Sequence, residues 1–268
     1  MKMGKLIKLG SEGEDVKYLQ NLLKNLGYDI VVDGDFGPKT DKVVKEFQKS
    51  QGLDVDGIVG PNTLNSLEGA RETESYKLKE SDFSRAALEL GVPIAAVKAV
   101  QEVETDGKGG FFSINKPAIL FEGHIFWSQL KKKGINPENH LPGNEDILYP
   151  NWTKNYYLGG DKEYNRLNRA RFIDSESALC SASWGMFQIM GFNYKSCGYT
   201  SVNDFVDDMC KSEGKQLDIF VSFIKSNKLD GYLRNLDWAG FAKKYNGPGY
   251  KENRYDEKLE KAYKKYAV

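Results

Sequence analysis

Three glutamates and one aspartate of this 268-residue chain, Glu102, Glu104, Asp106 and Glu122, sit where acid–base chemistry could occur. From Pro93 onward residues repeat at helical spacing, and at about 100° per residue Ala96, Val97, Ala99, Val100 and Val103 form one apolar arc. Glu104 falls inside that arc, between Val97 and Val100. Glu102 falls on the polar side four residues after Lys98, where an exposed ion pair is the natural outcome. A carboxyl at a helix end against apolar neighbours loses hydration, so its charged form is disfavoured and its pKa rises toward what a general acid needs. Glu104 is the candidate acid; the alternative is that it frays into solvent in the last turn before Gly107. Glu122, between Phe121 and His124, is the candidate second catalytic carboxylate. Its alternative is a supporting role, bonding helix-end amides or His124. Asp106 could position water, although an Asp before Gly is explained by turn geometry alone.

Two further segments carry polar groups in unusual settings. Ser183 to Gly191 places Trp184, Gln188 and two glycines in an apolar stretch that otherwise reads as a buried helix, and a polar Gln there needs a partner. Ala242 to Tyr250 ends a helix in a Gly/Pro turn displaying Tyr245 and Asn246, as a cap or as a loop that touches sugar. These motifs, in this order and spacing, resemble the goose-type lysozymes and lytic transglycosylases. Glu104-Thr105 stands where that group has Glu-Ser, Gly185-Met186-Phe187-Gln188 where it has Gly-Leu-Met-Gln, and Tyr245-Asn246-Gly247 where it has Tyr-Asn-Ala-Gly. Pro117 to Phe126 and Ser181 to Gly191 more specifically resemble the N-acetylmuramidase domain of modular bacteriophage endolysins, over about residues 82 to 266. The resemblance implies that Glu104 is the catalytic acid and that Gln188, Tyr245 and Asn246 hold the sugar near the scissile bond; Trp184 and His124 are further candidate substrate-binding residues. It also implies cleavage of the β-1,4 bond from N-acetylmuramic acid to N-acetylglucosamine, with a lytic transglycosylase giving 1,6-anhydro products as the alternative. Thr105 for Ser and Gly247 for Ala are small departures.

The elements that must hold these residues are mostly helical. Helical patterns cover Asp82 to Leu90, Pro93 to Thr105, a Lys-rich end near Lys131, Asp161 to Phe172, Val202 to Lys225, Trp238 to Tyr245 and Asn253 to Tyr266. No strand alternation is sustained, so the expected fold is all-α and lysozyme-like, with at most a small β element. Pro137 to Gly160, rich in Pro, Gly and Asn, reads as a long surface excursion able to line a cleft.

Ahead of it lies an internal echo: Asp33-Gly34-Asp35-Phe36-Gly37-Pro38-Lys39-Thr40 returns as Asp56-Gly57-Ile58-Val59-Gly60-Pro61-Asn62-Thr63. Each copy reads as a turn feeding a helix with Pro in its first position. With the amphipathic stripe Val16, Leu19, Leu22, Leu23 and Leu26, this predicts three short helices around one core. The pattern, with Leu19-Gln20 and Phe47-Gln48, resembles the peptidoglycan-binding module of wall hydrolases over roughly residues 9 to 67, although most matching residues specify a fold before they specify binding. The division is therefore a binding module over 1–68, a polar linker over 69–80 and a catalytic domain over 81–268.

Composition limits the remaining options. With 38 basic and 38 acidic residues, no global field draws the chain to nucleic acid or an anionic membrane. No stretch approaches the ~20 apolar residues of a membrane span. The charged start Met1 to Lys8 leads into Ser11-Glu12-Gly13-Glu14-Asp15 instead of an apolar run, so a Sec signal is not expected and delivery to a periplasmic wall by another factor is. Cys180, Cys197 and Cys210 have no paired spacing and read as inert thiols. Only His124 and His140 could serve as imidazole ligands, without an H-E-x-x-H pattern, which argues against a zinc amidase or peptidase. No cofactor or metal is called for, and a monomer acting on peptidoglycan is the expected state.

Overall fold

The computed structural model describes residues 6–267, the side chains of 72–75 and of Pro248 apart. The charged start Met1 to Lys5 lies outside the described residues. The chain divides into two compact units, Met1–Tyr76 and Lys77–Val268.

In the first unit, α1 (Glu14–Asn25), α2 (Pro38–Ser50) and α3 (Pro61–Tyr76) enclose Leu19, Leu22, Leu23, Phe36, Val44, Phe47 and Leu67. The echo in the sequence is an echo in space. Gln20 is buried, donates through Nε2 to Asp33 Oδ1 (2.7 Å), Asp35 O (3.0 Å) and Thr40 Oγ1 (3.2 Å), and accepts from the amide of Gly34. Gln48 repeats this with Asp56 Oδ1 (2.9 Å), Ile58 O (3.1 Å), Thr63 Oγ1 (3.3 Å) and the amide of Gly57. A buried amide satisfied on both ends fixes each turn against its helix, because any lost bond would leave an uncompensated polar group. Gly57 is required twice over: its φ is +74°, and a Cβ would stand 2.3 Å from Asp41 Oδ1. The expected linker differs from what forms. α3 continues to Tyr76 and α4 (Glu80–Leu90) begins three residues after Lys77, so most of residues 69–80 are helical. Glu, Ala and Arg propagate a helix without needing an apolar stripe.

In the second unit, α5 (Ile94–Thr105) packs against α4 and against α13 (Tyr255–Tyr266), the last helix. Between them lie a two-stranded ribbon of β1 (Phe111–Ser113) and β2 (Lys116–Pro117), then β3 (Ile119–Phe121), and α6 (Gly123–Lys132). α7 (Glu163–Ile173) and α8 (Ser175–Cys180) lead to β4 (Ala182–Trp184) and β5 (Ile189–Met190). α9 (Val202–Met209), α10 (Glu213–Ser226), α11 (Asp230–Arg234) and α12 (Trp238–Tyr245) complete a mainly helical domain with a small β element. The three-stranded antiparallel sheet runs β3-β4-β5, with Ile119 opposite Trp184 and Phe121 opposite Ala182.

Three expectations are corrected here. Ser183 to Gly191 is a hairpin and not a buried helix: Gly185 (φ +70°) and Gln188 (φ +48°) turn the chain back on itself. Val202 to Lys225 is two helices, since Ser212 accepts the amide of Lys215 and caps a new start. The excursion from Pro137 to Gly160 is not wholly at the surface, for Ile147 and Leu148 are fully buried.

Candidate active site

Glu104 occupies the last turn of α5 and is partly buried, as its place in the apolar arc predicts. Burial pushes its pKa up to about 7, against the opposing effect of a hydrogen bond from Asn246. The negative end of the helix dipole acts in the same direction as burial. Asn246 follows α12 and points Nδ2 at both carboxyl oxygens, 3.4 and 3.3 Å away, while its Oδ1 is buried without a hydrogen-bond partner among the described residues. Tyr245 stacks on Phe241 (5.5 Å, 11°), and its hydroxyl pKa is raised by burial and then by the charge of Glu104. Tyr255, at the start of α13, is raised by burial and by the charges of Glu104 and Asp106. Asp106 itself caps α5 in the left-handed region (φ 50°), the turn role expected of it.

Glu102 takes the structural role assigned to it with different partners. Lys265 (2.7 Å) and the hydroxyl of Tyr266 (2.5 Å) hold it and lower its pKa, whereas Lys98 pairs with Glu80. The ends of two helices distant in sequence meet here, which periodicity within one helix does not reveal.

The hairpin turn is held from below. Buried Gln216 accepts from the amide of Met186 (2.8 Å) and donates to the carbonyls of Gly110 and Met209. A Cβ on Gly185 would lie 2.7 Å from its amide carbon, so glycine is required there. Phe187 stacks on Phe220 (3.9 Å, 5°), and Phe220 meets Tyr245 edge-on at 5.7 Å, which links the turn to the Glu104 site. Gln188 is exposed at the tip, accepts from Ser183 Oγ (2.7 Å) and donates to Gly185 O (2.7 Å) and Ala118 O (3.2 Å). Its needed partners exist, and its outer edge faces solvent. Trp184 corrects the sequence reading: it is 2% exposed, with its indole N–H given to Leu179 O at 3.1 Å, so no ring face is free for sugar.

Glu122 and His124 form a second cluster. The hydroxyl of Tyr157 lies 2.8 Å from both carboxyl oxygens of Glu122. His124 Nδ1 comes within 3.3 Å of Oε2 but is not aligned to bond it and has no hydrogen-bond partner among the described residues. Distance alone therefore overstates that contact. Beneath lies a buried pair that sequence reading missed, Glu163 and Arg166, 2.8 Å apart and 0% and 1% exposed. Glu163 accepts the amides of Leu158, Gly159 and Phe121; Arg166 donates to the carbonyls of Asp146 and Phe121. The two residues fall three apart in a helix that is polar on most of its faces, and only the folded-back excursion marks them as buried.

Burial raises the pKa of all three thiols. Burial pushes Cys180 to about 11 and Cys197 to about 12, so neither supplies thiolate near neutral pH.

Two family models match the chain. The N-acetylmuramidase family model matches residues 93–267, and a model for a peptidoglycan-binding domain matches residues 12–67. The chain therefore belongs to the N-acetylmuramidase family. Among solved structures it is similar to the endolysin of the Burkholderia phage AP3, with 41% identity and a TM-score of 0.68, covering 98% of this chain and 99% of that one. It is 38% identical over 78 residues to the zinc D-Ala-D-Ala carboxypeptidase of Streptomyces albus G, which covers 27% of each. It is 40% identical over 87 residues to a spore cortex-lytic enzyme of Halalkalibacterium halodurans, covering 32% of this chain and 24% of that protein. The chain thus spans about a quarter of the length of these two curated relatives.

Proposed function

We propose that this muramidase is an endolysin that binds peptidoglycan through its first unit and hydrolyses the β-1,4 bond from N-acetylmuramic acid to N-acetylglucosamine with its second. The observation that carries the reading is Glu104, protonated to about pH 7 by burial and facing Asn246. A neutral carboxylic acid at that position gives its proton to the departing glycosidic oxygen as the bond to the muramic C1 breaks. Water then bonds to C1, and its spare proton returns to the ionised Glu104 or to solvent. Asn246, Tyr245 and Gln188 hold the sugars beside it, and the unpartnered Asn246 Oδ1 is an acceptor suited to an N-acetyl N–H or a sugar hydroxyl. Glu122 is engaged by Tyr157, and this supports a positioning role for it rather than that of a free base. The same engagement makes intramolecular attack by the C6 hydroxyl, giving a 1,6-anhydro end, the second reading. In either case the enzyme acts as a monomer and another factor gives it access to the wall.

The test compares clearing of purified sacculi by variants of matched fold. Glu104→Gln lowers turnover at least ~100-fold while circular dichroism and wall binding are retained; Glu102→Gln stays within about twofold. Equal activity of Glu104→Gln and wild type would refute the assignment.

A further inference from the structure

Trp152 stands apart from the other tryptophans. Trp184 and Trp238 are buried and Trp127 is half-buried, yet Trp152 is 59% exposed. An exposed indole on a floppy loop would mean little, but this loop is held at both ends and in the middle. Arg166 grips the carbonyl of Asp146, the hydroxyl of buried Tyr149 accepts the amide of Gly123, and Glu163 accepts the amides of Leu158 and Gly159. Trp152 itself bears on the hydroxyl of Tyr157, which bonds Glu122. The ammonium of Lys154 lies 5.7 Å from the indole centroid, and more than half of the residue remains exposed.

We propose that Trp152 is a glycan-binding platform, stacking on the apolar face of an amino-sugar ring of the strand, with Tyr157 and Glu122 as its positioning residues. The proposal rests on the muramidase reading for its choice of ligand. An anchored, exposed indole beside the Tyr157 hydroxyl offers a pyranose a flat apolar surface for its ring C–H groups and a polar group near the ring edge for a sugar hydroxyl. It assigns to Trp152 the sugar contact that sequence reading gave to Trp184.

The test joins binding and kinetics in the full-length protein. Titration with purified N-acetylglucosamine–N-acetylmuramic acid oligosaccharides shifts tryptophan emission to shorter wavelength in the wild type, and Trp152→Phe abolishes that shift. Trp152→Ala weakens oligosaccharide binding roughly tenfold, the factor that loss of one good ring contact produces. On sacculi its loss falls in KM rather than kcat, and Trp152→Phe recovers most of it. An emission shift that persists in Trp152→Phe, or a Trp152→Ala protein that binds oligosaccharide as well as wild type, overturns the proposal. The titration needs no turnover, so a protein that binds with the shift but cuts no wall refutes the muramidase reading and leaves the platform standing.

Discussion

A carboxyl that stays protonated to about pH 7 in the fold, against 4.5 ordinarily, has consequences for stability as well as for rate. Below pH 4.5 both folded and unfolded chains hold the Glu104 proton. Between 4.5 and about 7 the unfolded chain releases it while the folded one keeps it, so folding stability falls as pH rises through that window and then levels. The ceiling on this loss is about 3 kcal/mol, since each pH unit of the window contributes about 1.36 kcal/mol. Glu104→Gln carries no such proton, so its melting temperature relative to wild type should climb from pH 4.5 to about 7 and stay higher above that. Parallel melting curves at all pH values would show that Glu104 is not strained by burial. The wild-type kcat should fall as pH rises above about 7, where the acid form is lost.

At the scale of elements, the buried Glu163–Arg166 pair of α7 joins the excursion to β3. Removing one member of a buried pair strands the other, at a cost of about 3–5 kcal/mol, so Glu163→Ala should shift urea unfolding by that amount. Glu260→Ala, which breaks the exposed pair with Lys264, should cost less than ~1 kcal/mol. Equal effects would mean that the buried pair does not anchor the excursion. Here the limits of the sequence become physical. The apolar setting of Glu104 was legible in the period of one helix, which left fraying as the alternative, whereas the site roles of Glu104 and Asn246 came from the family resemblance. The hairpin at Ser183 to Gly191 was not, since a short apolar run lacks a period long enough to distinguish strand from helix. Tyr255, Gln216 and Tyr157 owe their importance to partners that only the tertiary fold brings near, and Trp184 and Trp152 could not be told apart by residue type.

At the scale of the molecule, the first unit has its own core and its own paired Gln networks, so residues 1–76 should melt cooperatively alone and sediment with purified peptidoglycan. A folded fragment left in the supernatant would restrict that unit to a structural role. Removing it from the whole chain should weaken wall binding and spare bond cleavage, because Glu104 and every partner described for it belong to the second unit. The most direct measurement of the whole account is mass spectrometry of sacculi digested in ¹⁸O-water. Hydrolysis assisted by Glu104 predicts new reducing ends on N-acetylmuramic acid, each carrying one ¹⁸O. New reducing ends on N-acetylglucosamine, or 1,6-anhydro-muramic ends without ¹⁸O, would contradict it.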